Sequence, residues 1–123
     1  MTTAPLATWR AEIVAELAEA ERELAEALAA KVASAAAHTA AAQRHRAEQE
    51  LAAGFHRPIP ASLARRLDPG GSELRHAEGA VTRTALLAEQ AERTTQDLRA
   101  GLAEVERLLA ASADATEIVG AAA

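Results

Sequence analysis

Two long stretches of this sequence contain no proline, and this distribution constrains the fold more than any other feature. Pro5 stands near the start, and the other three prolines, Pro58, Pro60 and Pro69, fall in one short segment. Proline disrupts a helix interior because it lacks the backbone N–H, but it suits a first helical turn. The sequence therefore predicts two long helices, one on each side of the proline-containing segment.

Alanine strengthens this prediction while it limits the core that the helices can build. It makes up more than a quarter of the 123 residues, and it loses no side-chain entropy in a helix. Burying an alanine removes little apolar surface from water, and Trp9 and Phe55 are the only aromatic residues. We expect an all-α protein with a thin core.

The first helix is expected from about residue 5 to residue 53. Apolar residues there recur at spacings near three and four, which indicates one buried stripe. Gly54 follows as the expected C-cap, and residues 54–71 form the connector, in which Pro60 opens a short helix over about 60–67. The stripe contains Leu6, Ile13, Leu17, Ala20, Leu24, Ala27 or Leu28, and Val32.

The second helix is expected to begin with Ser72 as its N-cap and to end near Ala113, before a frayed tail over 114–123. Alternating steps of three and four residues predict a seam of five heptads with mostly small side chains. We expect the two helices to fold back on each other as a single antiparallel, coiled-coil-like hairpin domain. The predicted seam positions are Ala77, Ala80, Thr84, Leu87, Ala91, Thr94, Leu98, Gly101, Val105, Leu108 and Ser112.

A hairpin of two helices leaves leucines beside its seam without a partner. We expect a second copy of the chain to cover them in a four-helix bundle, or another helical protein to do so; a monomeric hairpin is the alternative. Leu98 and Leu102 are the candidate partner-binding leucines. Those beside the seam are Leu24, Leu86, Leu102 and Leu109.

Charge is distributed unevenly along the chain. Residues 1–30 carry a net charge of −4, residues 31–85 carry +3 and residues 86–123 carry −4. Folding at the connector predicts a basic tip that suits an acidic partner, although charges along the first helix also complement its macrodipole without any partner. The candidate partner-binding residues of the tip are Arg57, Arg65, Arg66 and Arg75, with Arg44 and Arg46 nearby.

Composition argues against several classes of function. The absence of cysteine excludes disulfides and thiolate chemistry, and the sequence shows neither a secretory signal nor an apolar run long enough to span a membrane. A net charge of −5 argues against general nucleic-acid binding, although Arg57, Arg65 and Arg66 leave a local contact open. We therefore expect a cytoplasmic protein that is not an enzyme and carries no cofactor or metal.

One tetrapeptide, Glu73-Leu74-Arg75-His76, places a carboxylate and an imidazole on one helical face. In this motif and in its expected two-helix shape the chain resembles the encapsulated ferritins, which build an iron site across a dimer. The resemblance implies a metal-binding bundle that uses Glu73 and His76 with Glu48 or Glu50, because a pivot at the middle of the connector brings these glutamates close to His76. A first-turn glutamate that the helix dipole favours is the alternative explanation of Glu73.

The expected hairpin is also similar in shape to the small helical proteins exported by type VII secretion. Those proteins carry Trp-x-Gly in the turn, whereas this sequence has Gly54-Phe55 there and its only tryptophan is Trp9. A secreted helical-hairpin protein is therefore kept as an alternative. The leading functional hypothesis is a non-catalytic interaction or assembly protein, such as an adaptor, scaffold or accessory subunit.

Overall fold

A computed structural model of the chain describes residues 4–55, 58–68 and 70–122, with side chains through Asp114. The residues that it describes form three helices and no strand. The helices are α1 (Ala4–Ala53), α2 (Ala61–Ala64) and α3 (Ser72–Ala122). The two long helices pack against each other, which confirms the predicted all-α architecture.

The prolines mark the helix boundaries as predicted. Pro5 lies in the first turn of α1, where a missing N–H leaves no intrahelical bond unmade. Pro60 directly precedes α2, with a φ of −54°. α2 is shorter than the helix predicted over about 60–67, because Arg65 and Arg66 continue the chain as a turn.

The start of α3 is capped by a different residue from the one predicted. Ser72 Oγ donates a hydrogen bond to Asp68 Oδ2 at 3.0 Å, and the same oxygen accepts the Glu73 N–H at 2.8 Å. The Gly71 carbonyl accepts the Arg75 N–H at 2.9 Å and so begins the helical bonding. Gly71 has a φ of +72°, a conformation that glycine adopts without steric cost. Asp68 therefore caps α3 from within the connector.

The end of α3 lies beyond the predicted one. The helix continues to Ala122, whereas the seam pattern predicted an end near Ala113. The seam pattern stops at Ser112, but the sequence that follows contains no proline and is rich in alanine. Helix therefore stays locally favoured after the seam has ended.

The chain divides into two compact units, and each contains part of both long helices. Unit 1 comprises residues 1–26 and 89–123, and unit 2 comprises residues 27–88 with the connector. The predicted single domain stays a prediction.

In unit 1 the helices run antiparallel. Arg10 of α1 pairs with Glu106 of α3 at 3.2 Å, and Glu21 of α1 pairs with Arg99 of α3 at 3.4 Å. The buried apolar side chains are Ile13, Ala20 and Val105. Thr95 is also fully buried, and its hydroxyl donates to the Ala91 carbonyl at 2.8 Å, so burial leaves its donor satisfied.

In unit 2 the helices are antiparallel as well, but the packed face of α1 becomes polar. Val32, predicted in the apolar stripe, is 70% exposed. The three-and-four spacing that includes Leu24 and Ala27 continues through polar residues and not through Val32. The prediction was wrong at Val32 because it followed apolar residues only. The buried or half-buried positions along this part of α1 are Ala27, Ser34, His38, Ala41, Ala42, His45, Glu48 and Ala52.

The predicted α3 seam is shifted by one residue at Leu87 and at Thr94, whereas its other predicted positions are buried or half-buried. Leu87 is 58% exposed and Thr94 is exposed, whereas Ala88 and Thr95 are 3% and 0% exposed. The predicted seam and the observed seam share every second position, and both alternate steps of three and four residues. Because many side chains near the seam are small, the sequence offered little basis for choosing between the two seams. Buried or half-buried residues recur at Leu74, Ala77, Val81, Thr84, Ala88, Ala91, Thr95, Leu98, Leu102, Val105, Leu109 and Ser112.

None of the helices, as far as the chain is described, is both long and apolar enough to cross a membrane.

We predict that Val105→Ala lowers the free energy of unfolding by about 2 kcal/mol, because the side chain is 2% exposed in the core of unit 1. Val32→Ala removes the same atoms from a position that is 70% exposed, and it should change the free energy of unfolding by less than about 0.5 kcal/mol. Urea unfolding followed by circular dichroism measures both values. Equal effects of the two substitutions would contradict the seam described for α3.

Candidate interaction surfaces

A polar cluster of Arg44, Glu48, Asp68 and Glu73 joins the connector to both long helices in unit 2. Glu48 is 7% exposed, and its carboxylate accepts the Asp68 N–H at 2.8 Å and Arg44 Nε at 3.1 Å. Arg44 Nη1 also pairs with Glu73 of α3 at 3.1 Å. The cluster satisfies its buried carboxylate internally, which identifies it as a structural feature of the turn.

The polar cluster shows that the register of the helices differs from the expected one. His45 packs against Gly71, where a pivot at the middle of the connector places Ala80. The last turns of α1 therefore lie beside the connector instead of α3, and Glu48 is level with Asp68. In the connector, Ile59, Leu63 and Leu67 are half-buried.

In this register the residues of the ferritin-like metal hypothesis have other contacts within the chain. Glu73 pairs with Arg44, Glu48 binds the Asp68 N–H, and His76 lines a surface depression with Arg75. No group of three or more potential metal ligands occurs within the described parts of the chain. Within one chain Arg44 engages Glu48 and Glu73, and the metal site across a dimer stays a prediction.

The two histidines on the packed face of α1 do not form a site with His76. His38 Nε2 lies 3.9 Å from Glu78 Oε1, across the helix pair of unit 2. His45 Nδ1 is buried without a hydrogen-bond partner among the described residues, and the ring lies against Gly71. A side chain on Gly71 would have its Cβ 3.1 Å from the His45 ring, so glycine there allows this close contact.

The predicted basic tip is partly used within the chain. Arg75 Nη1 donates to the Gly70 carbonyl, and Arg44 belongs to the polar cluster. Arg65 and Arg66 are exposed after α2. Arg57 lies outside the described residues. Arg65 and Arg66 thus keep their guanidinium groups at the surface.

Both predicted partner-binding leucines lie along the helix pair of unit 1. Leu98 and Leu102 are half-buried in the α3 seam. Much of each side chain therefore packs within unit 1, and only the remainder is accessible to a partner.

Unit 2 exposes an outward face of α3 that lies opposite the seam. Its residues follow steps of three and four, and they combine cationic side chains with two leucines that are 54% and 58% exposed. The neighbouring carboxylates, Glu73 and Glu78, are directed to Arg44 and His38 of α1. This outward face consists of Arg75, His76, Gly79, Arg83, Leu86 and Leu87.

Unit 1 contains a groove between α1 and α3. Ala20 and Leu98 form its apolar floor, and three glutamates of α1 form its rim. The hydrogen bond from the Arg22 guanidinium holds the pKa of one rim carboxyl, Glu19, below its ordinary value. We refer to this feature as the acidic-rimmed groove; its rim residues are Glu16, Glu19 and Glu23.

Sequence analysis did not identify either surface. The signal for the outward face was the three-and-four spacing from Arg75 to Leu87, but Leu87 was assigned to the seam. The signal for the groove was the spacing of Glu16, Glu19 and Glu23 on one side of α1. These three glutamates contributed only to the net charge of residues 1–30 in the prediction.

Comparisons of the chain with protein-family models, with curated proteins and with solved structures gave no match.

We predict that Glu48→Ala lowers the free energy of unfolding by about 1–3 kcal/mol, because the Asp68 N–H loses its acceptor in a part-buried place. Glu48→Gln keeps an acceptor oxygen and should cost less. Glu50→Ala, at an exposed position two residues away, is the control. Urea unfolding measures all three, and a loss for Glu50→Ala as large as that for Glu48→Ala would contradict the role of the cluster.

Stability should depend on pH through Asp68. Hydrogen bonds from the Glu73 N–H and the Ser72 hydroxyl hold the pKa of the Asp68 carboxyl below its ordinary value. Its contribution is therefore complete above the unfolded-state pKa of about 3.9 and is lost as pH falls through the lower folded-state pKa. Asp68→Ala should lower the thermal midpoint at neutral pH, and the difference from wild type should shrink below about pH 4. A difference that stays constant with pH would argue against carboxylate capping.

Proposed function

We propose that this protein is a non-catalytic interaction or assembly protein that binds a helical partner through apolar and charged helix faces. The observation that carries this proposal is the imbalance between buried and exposed apolar side chains. Among the described residues the buried apolar side chains are Ile13, Val105 and three alanines, whereas eight large apolar side chains are exposed. The exposed ones are Trp9, Val14, Leu28, Val32, Leu51, Phe55, Leu86 and Leu87.

Single exposed apolar residues are normal on protein surfaces, but adjacent leucines on one face are a better indication of binding. Leu86 and Leu87 are the clearest case, because they follow Arg83 on the outward face and are more than half exposed. Covering such side chains on association contributes free energy roughly in proportion to the apolar area removed from water.

The use of the titratable residues also supports a role without catalysis. The carboxylates that approach other ionisable groups most closely in unit 2, Glu48 and Glu73, are both engaged by Arg44. Asp68 caps α3. These contacts hold the turn together and leave the outward face of α3 for a partner.

A change of the exposed leucines tests the proposal. Leu86→Ser with Leu87→Ser should lower self-association, because it removes apolar area from a contact surface while the seam of α3 stays unchanged. Light scattering over a range of concentrations gives the mass, and the monomer mass is 12.8 kDa. Circular dichroism checks that the helices remain.

The matched control is Ala103→Ser with Ala111→Ser, two exposed positions on the same helix. It should leave self-association as it is in the wild type. Wild-type association that persists unchanged in the leucine variant would contradict the proposed surface, and a monomer at every concentration would contradict self-association.

A further inference from the structure

The acidic-rimmed groove of unit 1 and the outward face of α3 in unit 2 correspond in charge and in spacing. Glu16 and Glu23 of the rim are seven residues apart, and His76 and Arg83 of the outward face are also seven apart. Seven residues advance an α-helix by about 10.5 Å, so both pairs of side chains repeat at the same distance. Two helices that lie side by side can therefore bring one carboxylate to the Arg83 guanidinium and the other to the His76 imidazole.

The charged side chains of the two surfaces are available. Within the parts of the chain that the structure describes, Glu16, Glu23, His76 and Arg83 have no ion-pair partner. The third rim carboxylate, Glu19, is instead held by Arg22. Among the residues described, Glu16 and Glu23 thus form no salt bridge, although Glu23, after Glu19 and Glu26, adds to the negative charge that raises the pKa of Arg22.

Small residues lie at the centre of both surfaces. Gly79 lies between His76 and Arg83 on the outward face, and Ala20 lies at the floor of the groove. The Arg83 guanidinium folds over Gly79, with Nη1 3.1 Å from where a Cβ would stand, so glycine there makes room for the Arg83 side chain. Leu86 and Leu87 continue the outward face beyond Arg83 and add apolar area to the contact.

The net charges of the units favour the same pairing. Unit 1 carries thirteen acidic residues against five arginines, a net charge of −8, and unit 2 carries eight basic against five acidic residues, a net charge of +3. Unlike units of two copies therefore attract each other, whereas two copies of unit 1 repel.

We infer that the acidic-rimmed groove of unit 1 binds the outward face of α3 from unit 2 of a second copy of this chain. The inference rests on the proposed function and names its partner. Glu16 and Glu23 contact Arg83 and His76 of the other copy.

Charge reversal on one surface at a time tests the contact. Glu16→Arg with Glu23→Arg makes the groove basic, and His76→Glu with Arg83→Glu makes the outward face acidic. Each double variant alone then presents like charges at the contact, and its self-association should weaken at least about tenfold. Sedimentation velocity at low salt measures the association, and raising the salt concentration should weaken that of the wild type.

Mixing the two double variants is the decisive step. The basic groove of the first variant then meets the acidic outward face of the second, and the wild-type groove of the second meets the wild-type outward face of the first. The mixture should associate when neither variant does so alone.

Two further variants separate this contact from general charge attraction. Glu92→Arg with Asp97→Arg makes the same charge change on exposed α3 positions of unit 1 that do not line the groove, and it should weaken self-association by less than about twofold. Gly79→Leu favours the helix but places a bulky side chain where the Arg83 guanidinium lies, so it should displace Arg83 and weaken association while helix content is kept.

The inference is overturned if the wild type stays at 12.8 kDa at low salt, if the groove and control reversals weaken association equally, or if the mixture does not associate. Weakening by Leu86→Ser with Leu87→Ser but not by charge reversal would retain the proposed function and reject this partner surface.

Discussion

The small side chains between the two long helices are the constraint on which the rest of the structure depends. Alanine and threonine at Ala20, Ala41, Ala88 and Thr95 fill the seam, so the helices pack closely but bury little apolar area. Several large apolar side chains, among them Leu86 and Leu87, then remain outside the seam. The exposed leucines of the outward face and the shallow groove of unit 1 follow from this division.

A thin seam gives the turn an important part in setting the register. In unit 2 the packed face of α1 carries Glu48, and its carboxylate binds both Arg44 and the backbone of Asp68. Asp68 in turn caps α3. Breaking a buried, hydrogen-bonded carboxylate of this kind costs more than shifting alanine against alanine, so polar contacts specify the alignment that apolar packing leaves weakly determined.

The sequence predicted the elements better than their alignment. Gly54, as the expected C-cap, and Ser72, as the expected N-cap, predicted the end of α1 near Ala53 and the start of α3 near Ser72, because helix ends depend on local backbone geometry. Whether Leu87 or Ala88 lies in the seam depends on how α3 packs against α1. Whether Glu48 lies beside Asp68 depends on how the connector folds back. The outward face and the acidic-rimmed groove have local spacing signals, but which of their residues stay exposed depends on that alignment.

The repeat of the seam also sets the steps in which a chain of this kind can change length during evolution. Inserting one residue in the middle of α3 would turn every later side chain by about 100° and move Val105 out of the packed face. Inserting seven residues in both α1 and α3 would keep each seam position in phase. Relatives of this protein should therefore differ in helix length by whole heptads, matched between the two helices, while the connector keeps Asp68 and Gly71 in place.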